Sequence, residues 1–509
     1  MRTVPHWING ARVEGAGERR LPVYDPATGE RQAEVVAATG TEVRAAVEAA
    51  LAAQPGWRAA SLSRRAEVMF RFRDLVDAHR GEIATLLSSE HGKTVADAGG
   101  EIARGLENAE FAAGAPHLLK GGYSEQAATG VDVYSIRQPL GVVAGVTPFN
   151  FPAMVPMWMF CNALVAGNTF VLKPSEKDPS VSLLLADLLR RAGLPDGAFN
   201  VVQGDRSAVD ALIADPDVRA LSFVGSTPVA RAIYEAGTRA GKRVQALGGA
   251  KNHMVVLPDA DVDAAADAAV SAGFGSAGER CMAVSVVVAV GSAGDALVPA
   301  IASRLAKIRV GPASDPDSEM GPLITREHRD RVAGYLSQAQ LVSQAQLVSQ
   351  AQLVSQGQLV VDGRDDPATG GPGFFLGASL VDHVDTTSPL YTDEIFGPVL
   401  SVVRVDTYDE ALRLVNDNQY GNGTAIFTRD GGAARRFQYD VVCGMVGVNV
   451  PIPVPVAYYS FGGWKASLFG DLHMYGPEGL QFYTRTKVVT SRWPDPATSE
   501  VDLGFPKVR

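Results

Sequence analysis

From residue 141 to 247, short apolar runs rich in valine alternate with helical stretches. The runs are 141–146 (GVVAGV), 169–173 (TFVLK), 199–203 (FNVVQ), 220–224 (ALSFV) and 243–247 (RVQAL), and helical patterns fall between them, as at 180–192 and 229–240. Strands of this kind, separated by helices, predict a parallel sheet covered on both faces. That prediction already localises function, because ligands of such sheets bind at the carboxyl ends of the strands. Those ends carry residues 147–150 (TPFN), 173–176 (KPSE) and 225–227 (GST).

A second unit of mixed strands and helices begins near Gly248. Strands are expected around 286–290 and 399–405, and helices at 295–305, 327–336 and 408–416. Within this unit Cys281 follows a run of small residues and precedes the valine-rich strand, placing its thiol at a loop-to-strand junction. Small neighbours allow close approach to the sulfur, and Arg280 beside it is expected to favour the thiolate, the nucleophilic form. A lone cysteine is ordinarily a small core hydrophobe, so the case for a nucleophile needs other residues. Gly273, Gly275 and Gly278 spell the dinucleotide fingerprint G-x-G-x-x-G, but a helix is expected before them and a strand after them. The fingerprint requires the reverse, and the match is rejected.

The N-terminal 40 residues predict strands and turns, with Asn-Gly at 9–10 and Thr-Gly at 28–29 as turn signals. Helices are expected from Thr41, over 61–79, and over 101–113, the last carrying Arg104. Residues 122–138 predict an exposed hairpin and 480–489 a strand reaching out to a sheet. The hexapeptide SQAQLV occurs three times in tandem from 337 to 354, followed by SQGQLV. Six residues advance a helix by about 600°, so the repeat builds no single apolar stripe, and it reads as an expanded helix-to-strand connection. A net charge of −10 supplies no basic footprint for nucleic acid or for an anionic membrane. Three cysteines in 509 residues speak for a reducing compartment, and the chain is expected to be cytoplasmic. No metal site is expected.

Seven separated motifs add a resemblance over nearly the whole chain: TPFNFP (147–152), VLKPSE (171–176), FVGSTPVA (223–230), ALGGAKNH (246–253), GSAGERCM (275–282), EIFGPV (394–399) and PVAYYSFGGWKASLFGD (455–471). In this order they are similar to the aldehyde dehydrogenase superfamily, and most to its CoA-acylating methylmalonate-semialdehyde (malonate-semialdehyde) dehydrogenase branch. The resemblance implies an α/β fold: a Rossmann-type NAD-binding domain over 1–121 and 139–247, an α/β catalytic domain over 248–455, and a small β oligomerisation element from 122–138 and 476–500. It implies Cys281 as the nucleophile attacking an aldehyde carbon, and Asn150 as the side-chain donor to the resulting oxyanion. NAD would be held by Thr147, Phe149, Lys173, Glu176, Lys177, Ser226, Glu394 and Phe396. The acidic Glu176 favours a free ribose 2′-hydroxyl over a 2′-phosphate.

Hydrolytic members of the superfamily carry a glutamate directly before Leu-Gly-Gly, where this chain has Ala246. A methyl group accepts no proton, which implies a thioester that waits for CoA rather than water. A malonate-type substrate brings a carboxylate, for which Arg104 and Arg280 are the candidate guanidinium partners. The implied reaction is oxidation and decarboxylation of (methyl)malonate semialdehyde to propionyl-CoA or acetyl-CoA, CO2 and NADH, in a homotetramer. The alternatives are a hydrolytic aldehyde dehydrogenase giving a free acid, a cysteine hydrolase or acyltransferase without redox chemistry, and a non-catalytic structural or binding relative.

Overall fold

The computed structural model describes residues 1–346, 357–493 and 497. Two large sheets organise them. The first has eight strands, and its parallel centre runs in the order Arg243–Leu247, Val218–Val224, Val142–Val146, Thr169–Lys173 and Phe199–Val201. The chain therefore starts in the middle at Val142–Val146, moves outward one way through Thr169–Lys173, and later moves outward the other way through Val218–Val224. That reversal opens a crevice beside the carboxyl end of Val142–Val146, at residues 147–150 and 225–227. The expected strand 199–203 is shorter, Phe199–Val201, and it pairs with an antiparallel hairpin of His6–Ile8 and Ala11–Val13. Asn9 and Gly10 both have positive φ, 53° and 77°, as the tight hairpin turn signalled by Asn-Gly requires.

The second sheet has seven strands in the order Gln358–Val361, Ser379–Asp382, Val399–Val405, Val284–Val290, Asn252–Val256, Gly423–Phe427 and Met445–Val448, parallel except for the first pair. Every residue of Asn252–Val256 and Gly423–Phe427 is buried, as strands covered on both faces must be. Helix Val262–Phe274 lies before the Gly273–Gly278 glycines and strand Val284–Val290 after them, which is the inverse of the dinucleotide fingerprint.

A third sheet joins Tyr123–Ala128, Val131–Pro139 and Thr484–Arg492, with nine paired residues between the last two strands. It is largely exposed and carries Tyr123, Val488 and, just beyond, Trp493 on its surface. The strand expected at 480–489 is corrected here: helix Gly476–Phe482, with a proline in its first turn, occupies the start, and the strand begins at Thr484. Helix Arg326–Gln346 runs through the first SQAQLV copy into the second, and strand Gln358–Val361 takes the end of the last copy. The rest of the repeat, 347–356, lies outside the described residues. No described helix is long and apolar enough to cross a membrane.

Candidate active site

Cys281 is delivered by a tight loop between helix Val262–Phe274 and strand Val284–Val290. Ser276, Ala277 and Gly278 are all left-handed, with φ of 53°, 52° and 74°. Only the last is glycine, and a Cβ at Gly278 would collide with the Gly397 carbonyl oxygen. Two non-glycine residues held at positive φ store strain of about 1–3 kcal/mol each, a cost that surrounding contacts must offset. Two of those contacts grip the cysteine itself: its carbonyl accepts from the side-chain amides of Asn252 (2.9 Å) and Asn422 (3.1 Å). The loop lines a pocket that also includes Ala250, Lys251, Glu394 and Phe396.

Burial pushes the Cys281 thiol up to about 12, and the Glu394 carboxylate adds to the rise; backbone N–H groups and Arg280 oppose both. Arg280 does act in the expected direction, favouring the thiolate. Its guanidinium is also paired with Asp97. Desolvation outweighs it.

Asn150 reaches this loop from the first sheet. It is buried, and its side-chain amide donates to the backbone carbonyl of Glu279 at 2.9 Å, two residues before the cysteine. Phe149 meets Phe396 edge-on at 5.9 Å between ring centres, and the Lys177 ammonium lies 4.6 Å over the Phe149 ring. Thr147 donates its N–H to the Lys173 carbonyl at 3.2 Å, and its buried hydroxyl has no hydrogen-bond partner. At the end of the neighbouring strand Lys173 pairs with Glu176 at 3.1 Å. Ser226 is the N-cap of helix Thr227–Arg239, is exposed, and makes no side-chain bond to the helix amides. Glu394 accepts from the Ala250 N–H at 2.9 Å. Burial pushes its carboxyl up to about 7 against that N–H and the charges of Lys251 and Arg331. A Cβ at Gly249 would overlap Glu394 Oε2, so only glycine leaves room there.

These residues suit a nicotinamide dinucleotide. The crevice offers an orphaned buried hydroxyl at Thr147, the uncapped amides behind Ser226 for a pyrophosphate, and a Lys–Glu pair for ribose hydroxyls. The eight candidate cofactor residues thus cluster around the reversal of the first sheet and the facing Glu394–Phe396 segment. Among the described residues, no group of three or more His, Cys, Asp or Glu is arranged to hold a metal.

Both candidate carboxylate-binding arginines already carry acidic partners: Arg280 has Asp97, and Arg104 has Glu107 at 3.1 Å. Of the two, Arg280 lines the Cys281 pocket. Tyr475, stacked with Phe461 (5.8 Å) and edge-on to Trp158 (5.0 Å), is close enough to feel the charges of Arg104, Glu107 and Cys281. Its hydroxyl donates to the Pro455 carbonyl at 3.0 Å. Nothing in the motifs singles out this tyrosine.

Along the Arg243–Leu247 strand side chains alternate, and Ala246 packs with Val244 and Phe223 in the core under helix Thr227–Arg239. Gln245 and Leu247 face the other side, where Gln245 donates to the Leu472 and His473 carbonyls and Leu247 joins the core against which Cys281 packs. Neither Ala246 nor Leu247 carries a proton acceptor.

The sequence profile of the aldehyde dehydrogenase family matches residues 13–489. The chain belongs to the aldehyde dehydrogenase family. Within that family it is 52% identical to the malonate-semialdehyde dehydrogenase of Pseudomonas aeruginosa, the match covering 100% of both chains. It is 45% identical to malonate-semialdehyde dehydrogenase 1 of Geobacillus thermodenitrificans, over 97% of this chain and 99% of that one. Among solved structures, the methylmalonate-semialdehyde dehydrogenase of Oceanimonas doudoroffii superposes with a TM-score of 0.93 at 52% identity, covering 98% of this chain and 100% of its own. A Sinorhizobium meliloti relative solved in complex with NAD superposes equally well, with a TM-score of 0.93 at 50% identity over 98% and 99% of the two chains. The aldehyde dehydrogenase fold is thereby established for this chain, and with it an enzyme that acts on a small molecule.

Proposed function

We propose that this aldehyde dehydrogenase oxidises and decarboxylates malonate and methylmalonate semialdehydes, with NAD as hydride acceptor and CoA as acyl acceptor. The observation that carries the reading is the Asn150 amide held on the Glu279 carbonyl two residues before Cys281, together with a strand end, Ala246–Leu247, that offers no carboxylate. The names of the relatives in malonate- and methylmalonate-semialdehyde oxidation support the substrate class.

The Cys281 sulfur, losing its proton, bonds to the aldehyde carbon, and the carbonyl oxygen becomes an alkoxide. Asn150 and the backbone N–H of Cys281 stabilise that charge; a single donor of this kind is worth about 10²–10³ in rate. Bound in the crevice, NAD supplies the acceptor for the hydride that leaves the same carbon. Thr147, Lys173, Glu176, Lys177 and Ser226 would hold its adenosine and phosphates, and Glu394, Phe396 and Phe149 would hold its nicotinamide end. Loss of hydride re-forms the carbonyl and leaves a thioester on Cys281. The β-carboxylate, with Arg104 and Arg280 as its guanidinium partners, then departs as CO2, and the enolate left behind takes up a proton. With neither Ala246 nor Leu247 able to draw a proton from water, the CoA thiol resolves the thioester, giving acetyl-CoA or propionyl-CoA and regenerating the Cys281 thiol.

Residues 1–121 and 139–247 would serve as the cofactor domain and 248–455 as the catalytic domain. The exposed sheet of Tyr123–Ala128, Val131–Pro139 and Thr484–Arg492 would join subunits in a homotetramer, since its apolar surface residues need covering. The reading is tested by incubating the enzyme with NAD and malonate semialdehyde, omitting CoA, and measuring the mass of the peptide containing Cys281. An acetyl adduct on Cys281 supports it. An unmodified cysteine alongside accumulated NADH would overturn it.

A further inference from the structure

Lys93 and Glu101 form the one described ion pair whose side chains are both wholly buried, with Nζ and Oε2 2.7 Å apart. Burying two charges is costly, and a pair of apolar residues of similar volume commonly serves stability as well or better. The remaining bonds of the pair point to another role. Lys93 Nζ also donates to the backbone carbonyl of Asn150 at 2.6 Å and lies 4.7 Å over the Phe151 ring. Glu101 Oε1 accepts the N–H groups of Ala153 (2.8 Å) and Met154 (3.1 Å). These amides open helix Met154–Val165, whose own N-cap, Ala153, supplies no side-chain acceptor. Glu101 caps that helix from a distance of some fifty residues in sequence, with its negative charge at the positive end of the helix dipole.

The pair therefore grips the short segment from Asn150 to Met154 at both ends, by the carbonyl of its first residue and the amides of its last two. Its anchors are rigid. Glu101 lies on the buried face of helix Val95–Ala113, and Lys93 follows Gly92, whose left-handed φ of 91° closes helix Arg80–His91. With its backbone so held, Asn150 aims its amide at the Glu279 carbonyl beside Cys281.

We propose that Lys93 and Glu101 are positioning residues for the oxyanion site: two charges that never touch substrate set the place of the Asn150 amide relative to Cys281. The proposal rests on the reading of Asn150 as the oxyanion donor. A shift of the loop by a fraction of an ångström lengthens a bond that matters only when the oxygen carries charge, so the loss falls on the acylation step and not on binding.

The test is the double variant Lys93→Met/Glu101→Gln, which leaves no unpaired charge in the core, alongside Asn150→Ala. Three quantities are measured on the full-length enzyme: the rate of the first NADH released without CoA, the semialdehyde KM, and the rate at which iodoacetamide alkylates Cys281. Alkylation develops no oxyanion and reports the thiol alone. The expected result for the double variant is a first turnover slowed about 30- to 100-fold, approaching the loss in Asn150→Ala, with KM and alkylation within about threefold of the parent. A first turnover within threefold of the parent, while Asn150→Ala is slowed about 100-fold, overturns the proposal and leaves the pair a helix cap. A normal first turnover in Asn150→Ala refutes instead the reading of Asn150. Should the double variant not fold, Glu101→Gln alone is judged by the same ratio, since it keeps the acceptor for the Ala153 and Met154 amides and removes only the charge facing Lys93.

Discussion

The Cys281 thiol sits in a pocket that opposes its ionisation, and the pH dependence of its reactivity should report which neighbour is responsible. With burial and Glu394 holding it at about 12, roughly one molecule in 10⁴ carries the thiolate at pH 8. Glu394 itself titrates at about 7. Below that pH its carboxyl is neutral and no longer raises the thiol, so the thiol is easier to ionise in acid than in base. Burial pulls the Lys251 ammonium in the same pocket down to about 7, so it also loses charge over this interval, in the parent and in a Glu394 variant alike. A full charge at contact range commonly shifts a neighbour by about one pKa unit. Alkylation of the nucleotide-free protein should therefore rise only about tenfold from pH 6 to pH 8, because the hundredfold gain from lower proton concentration is offset by about tenfold as Glu394 ionises. In Glu394→Gln the Glu394 share of the offset is absent, and the same interval should give a steeper rise, up to about a hundredfold. The assay is the pseudo-first-order rate of iodoacetamide labelling of Cys281, followed by peptide mass. A plateau in the parent below pH 8 would refute the argument, since it would mean that the thiolate is already formed. Equal slopes in parent and Glu394→Gln would refute the coupling.

Three further outcomes follow from named contacts. Gly249→Ala should push Glu394 out of its place, because the added Cβ overlaps Oε2, and weaken NAD binding by about tenfold, read by fluorescence titration. Arg104→Ala and Arg280→Ala should each raise KM for malonate semialdehyde by about tenfold or more and leave an uncharged aldehyde such as propanal little affected; equal effects on both substrates would remove the carboxylate role. Glu279 is wholly buried with one oxygen unpartnered, and burial pushes its carboxyl up to about 8. The folded state then binds a proton that the unfolded state releases, so stability should fall as pH rises from about 4.5 to 8, and Glu279→Gln should flatten that part of the Tm profile.

The central parallel strands were legible because each is a short valine-rich run ended by glycine or proline, and the crevice followed from their order. Asn252–Val256 was not, since it opens with Asn-His only two residues after Gly248–Gly249, and its burial comes from neighbours on both sides that sequence does not display. The helix at 476–482 hid behind apolar residues that read equally as strand, and the proline at its start was the available signal. In the site, the motif residues were found and gathered, while those acting through backbone contacts were not. Lys93 and Glu101 look like surface charges in a helical stretch. Yet Glu101 falls on the same helix face as Ala98, Ile102, Gly105 and Ala109, and a carboxylate on an apolar stripe was a readable sign of a buried partner. The side of the strand that Ala246 faces depends on register and is visible only in three dimensions.

The account stands or falls on what resolves the thioester at Cys281. NADH should be followed after mixing the enzyme with NAD and malonate semialdehyde, with and without CoA. Without CoA, one NADH per subunit should form and the reaction should stop; with CoA, turnover should continue and acetyl-CoA should accumulate in step with NADH. Continued turnover to free acetate or malonate in the absence of CoA would contradict it, because water would then be activated at a site where the strand end Ala246–Leu247 offers no base.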